Sequence, residues 1–318
     1  MSPEMNRRTF IKASLAASAG AALPLAAAGR AAEKPKSPKA ALPKGRIGKL
    51  EVSRLLLGGN LLTHYTHSRD LKYVYNLAAH YNTEAKILET LAVAEANGID
   101  TLCVHTVPRV LKILEDHRKR GGKMKWIICP TAGADERMKA YSQQVQELAD
   151  MGCDAIYVWG VRGDALTAAG KVHLIAKAVE IARDHALPSG VGAHDLRVIR
   201  ECEKSKVPAD FYIKTLHHHD YPSGPKDDEL KGPIREIPGY WCDDPKAVIE
   251  FMKSVTKPWI AFKVMAAGAI PPRNAFQYAF ANGADHVLAG MFDFEIAEDA
   301  AIARKVLGGL KRSRPWRS

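Results

Sequence analysis

Eight short apolar runs recur between residues 54 and 289 of this 318-residue chain, and each is followed by a segment whose apolar residues fall at spacings of three and four. The runs occupy 54–58, 101–105, 125–129, 155–159, 189–193, 211–216, 259–265 and 286–289. The helical spacing fills 84–97, 107–119, 136–150, 168–185, 195–204, 243–254, 272–281 and 295–307. Ala247, Val248, Phe251, Met252 and Val255 show the pattern, one apolar stripe on an otherwise polar segment. Apolar runs of this kind suit strands buried on both faces, as in a parallel sheet covered by helices. Eight strand–helix pairs in succession predict an α/β fold, a single-domain (β/α)8 barrel over residues 46–310, with a doubly wound sheet as the alternative.

The two ends of the chain read differently. Asn6-Arg-Arg-Thr-Phe-Ile-Lys12 precedes an alanine-rich apolar run to Ala28 and resembles a twin-arginine export signal over residues 1–32, cut near Ala28 to Ala32. The run is short and built of small residues, so no stable membrane span is expected, and the implied partner is the twin-arginine export machinery, with a periplasmic or exported destination. Residues 33–45 are charged and broken by proline, which predicts a disordered tether, and 311–318 read as a basic tail. The formal charge of +11 stays basic after the signal is removed, but the lysines are scattered with no arginine-rich helix, which argues against nucleic acid. The five cysteines lack the close paired spacing of a zinc ribbon or redox motif.

Within the run at 259–265, Lys263 stands among apolar neighbours. Strand alternation would put Ile260, Phe262 and Val264 on one face and Ala261, Lys263 and Met265 on the other, turning the ammonium into the barrel interior. An unpaired charge there costs several kcal/mol, of order 3–5, so it serves either chemistry or a structural ion pair. Two long connections, 61–83 and 218–243, leave the C-terminal ends of their strands, the face where barrels of this kind carry their sites. They are rich in rings (His64, Tyr65, His67, Tyr73, Tyr75 and His80 in one; His218, His219, Tyr221, Tyr240 and Trp241 in the other), as a lid over a polar ring-shaped ligand would be. Asn60, His64, Trp159, His194, His217, His218 and Asp293 are the candidate substrate-binding residues. His105, His194 and His218 are an alternative divalent-metal set, although general acid–base or hydrogen-bonding roles need only one well-placed ring. Gly268, Gly290 and Met291 follow the last two strands, where backbone amides often hold a cofactor phosphate; Pro271 and Pro272 remove donors and Asp293 and Glu295 add negative charge, which favours a neutral polyol.

The segment at 45–59, the entry Asn97-Gly-Ile-Asp-Thr-Leu102 and the closing Gly290-Met291 with Glu298-Asp299 resemble the aldo-keto reductases. The resemblance implies a (β/α)8 barrel, NADP as cofactor, and a proton-donating set of aspartate, tyrosine, lysine and histidine. Asp100 matches the aspartate; His105 stands in the tyrosine position, Thr131 near the lysine, Gly160 near the histidine, and Gly192-Ala193 replaces the Ser-Asn pair that holds the nicotinamide amide. A second, local resemblance, in Ala209 to Thr215, Phe262 to Ile270 and Gly283-Ala-Asp285, is to class I deoxyribose-phosphate aldolases. It implies Lys214 as the Schiff-base lysine and Lys263 as the lysine that depresses its pKa. Together these readings predict an exported enzyme acting on carbonyl or hydroxyl-bearing carbons of a small polar, sugar-like ligand, with Lys263 and Lys214 at the carbonyl and His105 with Asp100 moving protons. An NADP-dependent reductase and a non-catalytic binding barrel are the alternatives. Changing Arg7 and Arg8 together to lysine should leave the precursor in the cytoplasm on cell fractionation; an unchanged exported yield would remove the export reading.

Overall fold

A computed structural model describes residues 41–231 and 241–318. The expected signal peptide, residues 33–40 of the expected tether, and Tyr240 with the rest of 232–240 lie outside the described residues. Leu42 is buried and Lys44–Ile47 is already a strand, so the fold begins within the last residues assigned to the tether.

The eight expected strands pair in parallel around a closed barrel: β3 (Leu55–Gly58), β4 (Thr101–His105), β5 (Lys125–Cys129), β6 (Ala155–Val158), β7 (Ser189–Ala193), β8 (Phe211–Thr215), β9 (Trp259–Phe262) and β10 (His286–Ala289), with β10 closing onto β3. Side-chain alternation divides the core in two. Leu56, Cys103, Ile127, Ala155, Phe211, Ile213 and Ile260 fill the barrel interior, while Leu55, Leu57, Leu102, Trp126, Ile128, Val191, Tyr212 and Ala261 meet the helices. The interior is sealed from below by an antiparallel hairpin that periodicity did not reveal, β1 (Lys44–Ile47) and β2 (Leu50–Ser53), whose Ile47 and Val52 join the interior cluster. Gly190 is what lets Phe211 lie flat in that interior, because a β-carbon there would collide with the Phe211 ring.

The helices follow the apolar stripes: α1 (Lys72–Tyr81), α2 (Glu84–Ala96), α3 (Pro108–Lys119), α4 (Lys139–Asp150), α5 (Gly160–Ala168), α6 (Val172–Asp184), α7 (Leu196–Lys204), α8 (Pro245–Ser254), α9 (Pro272–Ala281) and α10 (Asp293–Gly308). In α8, Val248 and Met252 are buried and Ala247 and Phe251 pack against the core, as the spacing predicts. Helices α1 and α5 were not anticipated; α1 lies inside the long connection at 61–83, and α5 begins on a glycine where the strand was expected to end.

The N-terminal ends of the strands carry a polar network that holds the barrel shut. Asp285, fully buried before β10, accepts from Arg314 Nη1 at 2.6 Å, from the Trp259 N–H at 2.9 Å and from the Arg317 N–H at 2.8 Å. Arg314 also donates to the carbonyls of Gly283, Val255 and Lys257. The Trp316 ring is sandwiched between the guanidinium groups of Arg54 at 3.9 Å and Arg312 at 3.4 Å, and Ser318 Oγ bonds His286 Nε2 at 2.6 Å. The basic residues 311–318 therefore pack onto the barrel, with the cations of Arg312 and Arg314 drawn in by the carbonyls and the carboxylate left at the strand ends.

Asp100 belongs to the same end. It accepts from the Ser53 N–H at 2.9 Å and pairs with Lys125 at 2.9 Å and Lys44 at 3.0 Å, and although burial opposes ionisation these partners, with Thr101, hold its carboxyl down to about 2. A carboxyl depressed on folding stabilises the protein above its ordinary value of 3.8 and loses that contribution as pH falls through about 2, so Asp100→Asn should flatten the acid side of a denaturant-midpoint profile in that window. Arg314→Met should destabilise the protein by about 3–5 kcal/mol in urea unfolding, because Asp285 stays buried without its main cation; a change near zero would mean the closure is carried by apolar packing alone.

Candidate active site

At the opposite end, where the strands finish, a cavity of about 410 Å³ opens into the barrel. Its wall includes Asn60 after β3, His105 at the end of β4, Trp159 after β6, His194 after β7 and Lys263 after β9, with Tyr65, His67 and Trp241 reaching in from the long connections. A volume of this order suits a small molecule. The two connections meet above it: Arg69 donates to Ser223 Oγ at 2.5 Å and to its carbonyl at 2.9 Å, and the His67 and Trp241 rings lie 5.3 Å apart.

Lys263 reaches the cavity by a route that alternation did not predict. Ile260 and Phe262 face the barrel interior and Ala261 faces the helices, the reverse of the expected assignment. Strand β9 stops at Phe262; Lys263 takes a left-handed conformation (φ 56°) and opens a tight turn in which Ala266, Ala267 and Gly268 are also left-handed. The turn swings Lys263 Nζ to 4.8 Å from the Trp241 ring centroid and 5.9 Å from that of Phe262. A β-carbon bearing residue pays for this conformation, and such strain collects at functional sites.

His194 is oriented by a residue the sequence reading passed over. Asp164 on α5 accepts from His194 Nδ1 at 2.7 Å and, through its other oxygen, from the N–H groups of His194 and Asp195 at 3.0 Å each. Three glycines make the contact. A β-carbon on Gly163 would meet the Gly192 carbonyl at 2.6 Å, and one on Gly192 would meet Gly160 N at 2.8 Å, so only glycine lets α5 lie against the end of β7. The pair Gly160/Gly163 just after a strand end, followed directly by an aspartate, was the available signal. With Nδ1–H committed to Asp164, Nε2 is left as the basic nitrogen. Burial pushes the His194 pKa down, Asp164 opposes this, and the Lys263 charge adds to the lowering. Burial lowers His105 too, and takes His67 to about 3 with help from Lys263 and His194, so these rings are neutral near pH 7. His105 stacks on Trp159 with planes 8° apart.

The remaining candidates separate by position. Gly268 and Gly290 line the cavity. Asp100 lies at the far end of the barrel, so the correspondence implied by the first resemblance does not bring it to His105. Lys214 is wholly buried on the helix-facing side of β8, where Nζ donates to Thr215 Oγ1 at 2.8 Å and to its carbonyl at 3.0 Å; it is not among the lining residues. His217 is a staple for its loop, bonding the His218 carbonyl through Nδ1 and accepting the Trp241 N–H on Nε2. His218 bonds Asn274, His64 bonds the Asn82 carbonyl, and Asp293 binds Tyr81 and Lys86; none of these lines the cavity, nor does buried Met291.

Among the described residues no three His, Cys, Asp or Glu side chains are grouped to hold a metal ion, so His105, His194 and His218 do not form a ligand set. Nor does the wall suit NADP. Lys263 is the single cation among the described lining residues, Glu295 and Asp299 add carboxyls, and the end of β7 offers no side chain at Gly192, with no room for one, to hold a nicotinamide amide. A ligand carrying several phosphate charges meets net acidity here.

Residues 4–24 match the family model for the TAT (twin-arginine translocation) pathway signal sequence, so the chain carries a signal for export by that route, typically to the periplasm. No helix among the described residues is long and apolar enough to cross a membrane. No curated relative matches the sequence. Among solved structures, a protein from Pseudomonas aeruginosa assigned to the aldo-keto reductases is 18% identical, with a TM-score of 0.52 over 83% of this chain and 95% of its own. An aldo-keto reductase from Bacillus halodurans in its holo form is 11% identical, with a TM-score of 0.55 over 86% and 98%. A mutant of Gox0644, in complex with NADPH, is 11% identical, with a TM-score of 0.53 over 86% and 95%. At such identities the likeness establishes architecture: the chain is a twin-arginine-signalled (β/α)8 barrel with the fold of the aldo-keto reductases.

Proposed function

We propose that this barrel is an enzyme acting on the carbonyl or adjacent hydroxyl-bearing carbon of a small, polar, sugar-like substrate, by lysine-assisted lyase or isomerase-type chemistry. The observation that carries the reading is the Asp164–His194 pair, 2.7 Å apart, whose His194 stands on the wall of the same cavity as Lys263. Lys263 polarises the carbonyl oxygen. His194 Nε2 takes the proton from the neighbouring carbon and the C–H electrons pass into an enediolate; the imidazolium then returns the proton to the former carbonyl carbon while the hydroxyl proton passes to the oxygen held by Lys263, or it protonates a leaving group as the bond from the β-carbon to that group breaks. Asp164 holds the tautomer and stabilises the imidazolium. Trp159, Trp241 and Phe262 supply apolar faces for the C–H side of a ring. Lys214, buried behind the wall, and Asp100, at the far end of the barrel, have no step in this scheme. A reductase reading draws on the shared fold, and quenching of Trp159 and Trp241 fluorescence by NADPH would favour it.

Proton exchange at the α-carbon, followed by NMR in deuterated buffer across ketoses and aldoses, tests the proposal. Lys263→Met and His194→Asn should each lower exchange by about 10²–10⁴-fold with the fold retained; exchange that survives both variants sinks the scheme. Because Asp164 raises the His194 pKa against burial, Asp164→Asn should slow the reaction and move its acid limb to lower pH.

A further inference from the structure

The cavity wall on the β10 and β3 side contains a carboxyl that the proposed chemistry does not use. Asp299 sits on the inner face of α10, among Ile296, Ala300, Ala303 and Val306, and is 4% exposed, yet it lines the cavity beside Leu61 and Phe292. It makes no hydrogen bond or ion pair with any other described residue. Buried polar groups are rarely left in that state, and asparagine or leucine would fill the same space without the cost of a stranded carboxylate.

Its charged neighbours make matters worse. Burial, then Glu295 and Glu298, push the Asp299 pKa up to about 7. Lys86, the lysine that reaches the first turn of α10, is held by Glu89 at 2.7 Å and Asp293 at 3.1 Å. Glu295 also lines the cavity and accepts the Phe292 N–H at 2.9 Å through one oxygen. The wall therefore has two carboxyls on this side and, among the described lining residues, the single ammonium of Lys263 after β9. An anion is repelled from the carboxyl side, and a hydroxyl can hydrogen-bond there but brings no positive charge to offset the acids. A cation gains charge-assisted bonds to both acids and removes the cost of burying the Asp299 carboxylate.

We propose that Asp299, supported by Glu295, receives a protonated amine of the ligand, so that the site selects amino-substituted sugars over plain ones. This rests on the reading of the cavity as a substrate site. It assigns α10 the role of specificity and leaves the carbonyl end to Lys263 and His194.

Calorimetric titration of the mature protein at pH 7 with glucosamine, glucose and N-acetylglucosamine tests it. Glucosamine should bind about tenfold or more tightly than the other two, as expected for a charge-assisted bond in a low-dielectric pocket. Its binding should release protons, seen as a dependence of the heat on the ionisation enthalpy of the buffer. Asp299→Asn should abolish both the preference and the proton release while unfolding no earlier than the parent protein, and Glu295→Gln should weaken the preference. Equal affinities for the three sugars, including no measurable binding by any, would overturn the proposal, as would a preference that persists in Asp299→Asn or NADPH binding that depends on Asp299. An Asp299-dependent preference without α-proton exchange would retain the amine site and reject the catalytic scheme. Exchange on neutral sugars with no amine preference would do the reverse.

Discussion

Closure of β10 onto β3 is the constraint on which everything else in this molecule depends, because it makes the barrel and forces polar groups to its two ends. At the end where the strands begin, Asp285 gathers Arg314 and the backbone N–H groups of Trp259 and Arg317, and Arg54 and Arg312 clasp Trp316. That end is densely paired, which is the arrangement that stabilises. At the other end Lys263 lies over an aromatic ring, and Asp299 has acids for neighbours. Dense pairing at one end lets the fold carry, at the other, a buried Asp299 carboxyl that no other described residue bonds, since sites give up stability for what they bind.

Two backbone features convert the strand ends into a site. The left-handed turn after β9 redirects Lys263 from the helix layer into the cavity, and the glycines of α5 and β7 let Asp164 come within hydrogen-bond reach of His194. Both depend on residues with little or no side chain, Ala266, Ala267 and Gly268 in the turn and Gly160, Gly163 and Gly192 in the contact. The chemistry-bearing residues are thus positioned by neighbours that carry no chemistry.

The same contrast explains what the sequence discloses. Periodicity reports burial, and all eight barrel strands and most helices were legible because each has a buried stripe to reveal. The β1–β2 hairpin was not, since Ile47 and Val52 are its main anchors in a segment otherwise charged. Lys263 does line the cavity, but the alternation argument that pointed it there fails, because alternation cannot foresee a strand that ends three residues early. Lys214 shows the opposite error: its parity with Tyr212 keeps it on the helix side, where Thr215 satisfies it. Asp100 just before β4 and His105 at its last residue lie at opposite ends of the strand, and the first resemblance paired them without regard to that length. Asp164 was missed, and Asp299 was named only within the Glu298-Asp299 pair of the first resemblance, because each lies on a helix, where an acid reads as a solvated face until the packing is known.

The cysteines connect the fold to the route of export. All five are buried and unpaired, and burial lifts the thiols of Cys103, Cys153 and Cys202 to about 12, well away from the reactive thiolate. Free thiols are ill suited to an oxidising compartment when a chain arrives unfolded, because they pair before they are covered. The twin-arginine route implied by residues 4–24 carries proteins already folded. A barrel that closes in the reducing cytoplasm crosses with its thiols already inside the core and needs no disulfide on arrival. Cys103 sharpens the point, since it lies on the interior face of β4 at the floor of the cavity, 3% exposed. Packing, not pairing, is what protects it, so the integrity of the site and the integrity of the core are secured by the same closure of the barrel.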